Sequence, residues 1–80
     1  MTTPYNVKIA PTAYQQLKTF PSKQQKFIIR LAEALSINPR PEGTTKIEGM
    51  TGLYSETVHH IQLIYKIEDQ EVLILLIKAD

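Results

Sequence analysis

The sequence predicts an α+β domain: an N-terminal strand, a two-helix hairpin, and then three to four antiparallel strands with the helices on one face. Three stretches predict it. In Ile61–Ile67 the residues Ile61, Leu63, Tyr65 and Ile67 alternate with Gln62, Ile64 and Lys66, the period-2 signature of a strand with one buried face. Val72 to Ile77 is an unbroken apolar run, as expected of a strand covered on both faces or covered by a partner. Between residues 13 and 37 apolar side chains recur at helical spacing, and Pro21 interrupts them.

Taken in order, Tyr5 to Ile9 reads as the first strand, with Tyr5, Val7 and Ile9 on one face. Ala10-Pro11 ends it, because proline donates nothing to a ladder. Thr12 is a suitable N-cap for a short helix, Ala13 to Thr19, with Ala13, Leu17 and Phe20 in one stripe. Pro21 breaks that helix. Ser22 caps a longer one, Lys23 to about Ile37, with Pro21 or Ser22 as alternative first residues. Phe27, Ile28, Leu31, Ala34 and Leu35 form its apolar face, and Lys23, Lys26, Arg30 and Glu33 its solvated face. Asn38-Pro39-Arg40-Pro41-Glu42-Gly43 is a rigid loop. A short strand at Lys46–Gly49 precedes a turn to Gly52. Leu53–Val58 pairs through His59-His60 with the Ile61 strand. Asp69-Gln70 suits a tight turn before the last strand, whose apolar edge calls for a cover: a partner or a second copy of the chain.

The totals bound the function. Residues 1–80 make one domain with a modest core, and no cysteine exists to staple it or to hold zinc through thiolates. No secretory signal and no apolar run of membrane-spanning length is present, so a cytoplasmic protein without a membrane partner is expected. A formal charge of +1 gives little electrostatic drive toward nucleic acid.

No phosphate-binding glycine loop and no nucleophile–base triad occurs. No metal or cofactor site is predicted, because His59 and His60 are neighbours on a strand and point to opposite faces. They read as exposed hairpin residues. The sharper alternative is His60 as a general acid or base on the open face, beside Gln62. Ser55 and Gln62 fall on the face turned away from the helices. Glu56 shares its face with Tyr54 and Val58, which is the buried one. A buried lone carboxylate is costly, so Glu56 is expected at a frayed, solvated strand end or beside a cation.

Asn38-Pro-Arg-Pro-Glu-Gly43, Lys46-Ile-Glu-Gly49, Gly52-Leu-Tyr54 and Ile61-Gln-Leu-Ile-Tyr65-Lys-Ile67-Glu-Asp69, in this order and spacing, resemble the RelE/ParE superfamily of toxins of bacterial toxin–antitoxin systems. The first half fits too: a strand ending in Ala10-Pro11, a helix with Leu17, the Phe20-Pro21 break, and a helix ending in Leu35. The resemblance implies a helical hairpin on an antiparallel sheet and a cognate antitoxin that binds and neutralises the chain. It implies inhibition of translation by cleavage of messenger RNA at the ribosome, with the RNA's own 2′-hydroxyl as nucleophile and basic side chains on the transition state. In the ParE branch the target is DNA gyrase instead.

The departures from the family pattern lie where that chemistry sits. Arginine is usual directly after the Leu-Tyr pair, where this chain has Ser55. A second basic residue is usual where it has Thr57, and an arginine where it has Gln62. The family continues past the last strand with further basic residues and a tyrosine, whereas here Lys78-Ala79-Asp80 closes the sequence. The cations left to serve as catalytic groups are His60 and Lys66, and Arg40 and Lys46 are left as RNA contacts. A messenger-RNA endoribonuclease with a degenerate site is one reading. A catalytically silent, antitoxin-binding homologue and a gyrase-directed toxin are the others.

Overall fold

The computed structural model describes residues 4–41 and 44–79. Met1–Thr3, Glu42 and Gly43 of the proline-rich loop, and Asp80 lie outside the described residues. Five strands and two helices follow one another: β1 (Asn6–Ile9), α1 (Pro11–Lys18), α2 (Ser22–Ile37), β2 (Thr45–Lys46), β3 (Leu53–Val58), β4 (Ile61–Glu68) and β5 (Glu71–Ala79). The expected α+β order is therefore present, with both helices on one face of a single sheet.

The sheet order is β1-β5-β4-β3-β2, and the sheet is mixed. β2 through β5 pair antiparallel, but β1 lies parallel to β5, with Asn6 opposite Glu71 and Ile9 opposite Ile74. This corrects two expectations. The sheet is not purely antiparallel, because β5, reached after the hairpin and three further strands, comes back beside β1 and runs in the same direction. Nor is β5 an edge needing a partner: β1 and β4 flank it, and the edges are the short β1 and β2.

Period and register explain which side of each strand is buried. Ile61, Leu63 and Tyr65 of β4 and Val72, Ile74 and Ile77 of β5 point under the helices and are at most 3% exposed. A bulge between Ile64 and Tyr65 lets the apolar run of β5 keep three of its side chains in the core. Leu73, Leu75 and Leu76 are left half-buried.

The helices supply Ala13, Leu17, Ile28, Ala32 and Leu35 to the same core. Ala32, not the expected Ala34, completes the stripe. Positions 28, 32 and 35 stand four and three apart on one face, whereas Ala34 is rotated away and exposed. α1 begins at Pro11 with Ala10 as its N-cap and no side-chain cap, so Thr12 does not serve there. Proline at the first helical position presets φ and lacks an N–H that would be orphaned anyway. α2 likewise starts without a side-chain cap, after Pro21. The hairpin between them is tied by the Gln25 side chain, which donates to the Phe20 carbonyl at 2.7 Å.

Two turns fix the site region. Gly52 has φ +77, and a Cβ there would stand 3.0 Å from the Ile67 carbonyl, so β4 closes on β3 only over a glycine. At the β3–β4 hairpin, His59 and His60 both have positive φ, 49° and 69°. Two left-handed residues match the twist of a two-residue hairpin, but histidine adopts that conformation at a cost.

Candidate functional site

The open face of the sheet is neutral where the sequence led us to look for chemistry. β3 and β4 run antiparallel with Thr57 opposite Gln62 and Ser55 opposite Ile64. Ser55 and Gln62 are thus diagonal neighbours, and the Gln62 amide donates to the Ser55 hydroxyl at 2.9 Å. Each satisfies the other. Half-buried Leu53, Ile64, Leu73 and Leu76 line the same face through the strand registers.

The four candidate cations do not converge. Lys66 lies on the open face opposite Leu53, where its ammonium pairs with Glu68 at 2.9 Å. His60 is in the turn at the other end of β4, about 20 Å away at roughly 3.3 Å per strand residue. A single phosphate cannot touch both. Arg40 and Lys46 belong to a different place, the β2 edge, on the helix side of the sheet. Among the described residues no group of three histidine or carboxylate side chains has the placement to hold a metal.

Tyrosines organise that edge. Tyr54 and Tyr65 are cross-strand partners and their rings stack, 6.2 Å between centroids and 23° apart. Tyr65 is fully buried, and its hydroxyl donates to the Pro39 carbonyl at 2.9 Å and lies 3.4 Å from the Thr44 hydroxyl. Burial raises its phenol above the usual value, and the Thr44 hydrogen bond opposes the rise. The proline-rich loop is thereby fastened over the end of the sheet.

From that loop Arg40 lays its guanidinium 5.2 Å from the Tyr54 ring centroid and donates through Nε to the Tyr54 hydroxyl at 3.3 Å. The bond lowers the Tyr54 phenol below its usual range and raises Arg40 further. Lys46 is the cross-strand partner of Tyr54, so its side chain leaves β2 on the same face. The sequence held a signal for part of this: a two-residue hairpin at 59–60 sets residue 54 opposite 65. It held none for the arrival of Arg40, which depends on where the loop crosses.

Glu56 is the remaining oddity. It faces the helices as its alternation with Tyr54 and Val58 predicts, but it is not at a frayed end. β3 continues to Val58, Glu56 sits opposite Leu63, and it is 8% exposed. Its carboxylate makes no hydrogen bond or ion pair with another described residue, and burial raises its pKa.

No protein-family model and no curated protein matches the sequence. Solved structures do match. The chain aligns with the RelBE2 toxin–antitoxin complex of Mycobacterium tuberculosis at a TM-score of 0.88 and 24% identity, covering 100% of this chain and 95% of that one. For the RelE–RelB complex of the archaeon Pyrococcus horikoshii the values are 0.83 and 25%, covering 98% and 96%. For the YoeB dimer of Staphylococcus aureus they are 0.77 and 27%, covering 96% and 98%.

Proposed function

We propose that this chain is a RelE-type toxin, the toxin-family component of a toxin–antitoxin module, a cytoplasmic protein bound and neutralised by a cognate antitoxin. The observation that carries the proposal is the end-to-end likeness to RelE and YoeB chains, which spans nearly the whole of both partners in each alignment. Among the described residues no helix is long and apolar enough to cross a membrane.

Translation is the target this reading assigns. An active toxin would cleave messenger RNA at the ribosome, with His60 or Lys66 as the proton-handling or charge-stabilising group and Arg40 and Lys46 on the RNA backbone. The separation of these four groups weighs against one catalytic centre. The neutral Ser55–Gln62 pair favours a second reading, a silent homologue that engages an antitoxin without cutting RNA. Removing a cationic contact from a phosphoryl transition state costs about 100-fold or more in rate.

Induced expression of the chain alone in a bacterial culture separates the two. Growth arrest, with messenger RNA cut in step with codons, supports the active toxin. Unimpaired growth with folded protein present supports the silent form. Capture of a small co-encoded protein on the tagged chain is expected in either case. Failure to retain any such protein would overturn the antitoxin proposal.

A further inference from the structure

Among the described residues Glu56 is the one charged residue that is buried. It makes no hydrogen bond or ion pair with another described residue, and its carboxylate oxygens keep contact with solvent. The placing of the helices explains that contact. They pack on β1 and β5, so the helix-facing row of β3, Tyr54, Glu56 and Val58, lies along the flank of the helical layer.

On that flank, between the start of α2 and the β3–β4 hairpin, runs a groove of about 420 Å³ lined by Lys23, Gln24, Phe27, His59 and Ile61. The rings of Phe27 and His59 meet edge to face there, 5.5 Å between centroids. Ile61 is the cross-strand partner of Val58, and Glu56 is the next residue of β3 on that face, about 7 Å farther on at roughly 3.3 Å per residue. Beyond Glu56 stands Tyr65, its diagonal neighbour on β4, with the Thr44 hydroxyl 3.4 Å from the Tyr65 hydroxyl. The flank thus sets a ring-lined, largely apolar groove beside an unpaired carboxylate and two hydroxyl oxygens that can accept.

We propose that this flank binds a small organic cation with an apolar body, an arylalkylamine in chemical class, with its ring in the Phe27–His59 groove and its ammonium on Glu56. The site lies on the opposite side of the sheet from Ser55 and Gln62, and the proposal does not depend on the toxin reading. Lys23 competes for the sign of the ligand, because it lines the groove as well. It is exposed in the first turn of α2, where water screens its attraction for an anion. Glu56 is already desolvated, so an ammonium beside it acts at a lower local dielectric and displaces no partner. The cation is therefore favoured.

The test is an NMR titration of the isotope-labelled full chain with three probes of similar size: phenethylamine, phenethyl alcohol and phenylacetate. The amine is expected to bind about 10-fold more tightly than the alcohol, as charge-assisted contacts exceed neutral ones. It should shift the amides of Phe27, Val58 and His59. Glu56→Gln should bring the amine down to the level of the alcohol. Glu56→Asp, which keeps the charge on a shorter stem, should recover part of the difference. Lys23→Gln should leave the preference for the amine in place.

No binding of the amine, equal affinity for amine and alcohol, or a preference that survives Glu56→Gln overturns the proposal. So do amide shifts confined to the open face. Tighter binding of phenylacetate, lost in Lys23→Gln, overturns it too and assigns the groove to anions. A thermal melt accompanies each variant. If Glu56→Gln fails to fold, the order of the three probes on the parent and on Lys23→Gln, at an exposed position, decides the outcome.

Discussion

Glu56 turns a carboxylate toward the helices with no cation beside it among the described residues, and replacing it by leucine should stabilise the protein. The residue is 8% exposed and faces the helices opposite Leu63; it makes no hydrogen bond or ion pair with another described residue, and its carboxylate oxygens keep contact with solvent. A fully buried, unpaired polar group costs about 1–3 kcal/mol, and a carboxylate that keeps solvent contact costs the lower end of that range. Leucine removes that cost and adds apolar burial against Leu63, so Glu56→Leu should gain about 1 kcal/mol at pH 7. In a domain of this size that is about 5 °C in Tm.

The pH dependence gives a second reading of the same group. Burial raises the folded-state pKa of Glu56 above its unfolded value. The folded state therefore holds the proton more tightly, and the penalty is largest above the raised pKa. It shrinks as pH falls through the folded value and is gone below the unfolded value of about 4.3. The stability difference between Glu56→Leu and the parent should accordingly narrow on acidification from pH 7. Urea unfolding of both proteins at several pH values measures it. A variant less stable than the parent at pH 7, or a difference that does not change with pH, would refute the reasoning.

Three further outcomes are expected. Tyr65→Phe orphans the buried Pro39 carbonyl that its hydroxyl meets at 2.9 Å, and should cost about 1–2 kcal/mol in urea unfolding while loosening the proline-rich loop to proteolysis. Gln16→Ala removes the side-chain oxygen that accepts the Ile77 N–H at 2.8 Å beyond the bulge of β5. A loss of about 1–2 kcal/mol should appear, with faster hydrogen exchange at that amide. His60→Gly relieves a residue at φ 69°. The relief of about 1–2 kcal/mol, less the entropy of glycine, should leave a net gain of about 0.5–1 kcal/mol in a thermal melt.

What could be read in the sequence was what depends on near neighbours. The alternation of Ile61 to Ile67, the two helical stripes and the break at Pro21 each reflect a local period, and each reappears in the fold. The parallel seat of β1 against β5 was not legible, because a strand's own pattern says which face is buried and nothing about which distant strand lies alongside. Glu56 was half legible: its face followed from Tyr54 and Val58, but its depth depended on the length of β3 and the cover above it. The candidate site fared likewise. Ser55 and Gln62 were correctly put on the open face, yet their mutual hydrogen bond required the register. His60, Lys66, Arg40 and Lys46 were grouped by residue type, and the fold distributes them over a turn, a face and an edge.

The place of β1 has a consequence in time. During synthesis Asn6 to Ile9 emerge before both helices, but the strand they pair with, starting at Glu71, is made only after β4. Until then the helices can form and the β3–β4 hairpin can close, while β1 has no neighbour and the core lacks Val72, Ile74 and Ile77. The domain in a nascent chain is therefore held unfinished until β5 arrives, and pairing so distant in sequence is slow to form. The interval exposes sticky, half-built sheet. A binder made alongside it would find its first opportunity there, before the finished protein exists.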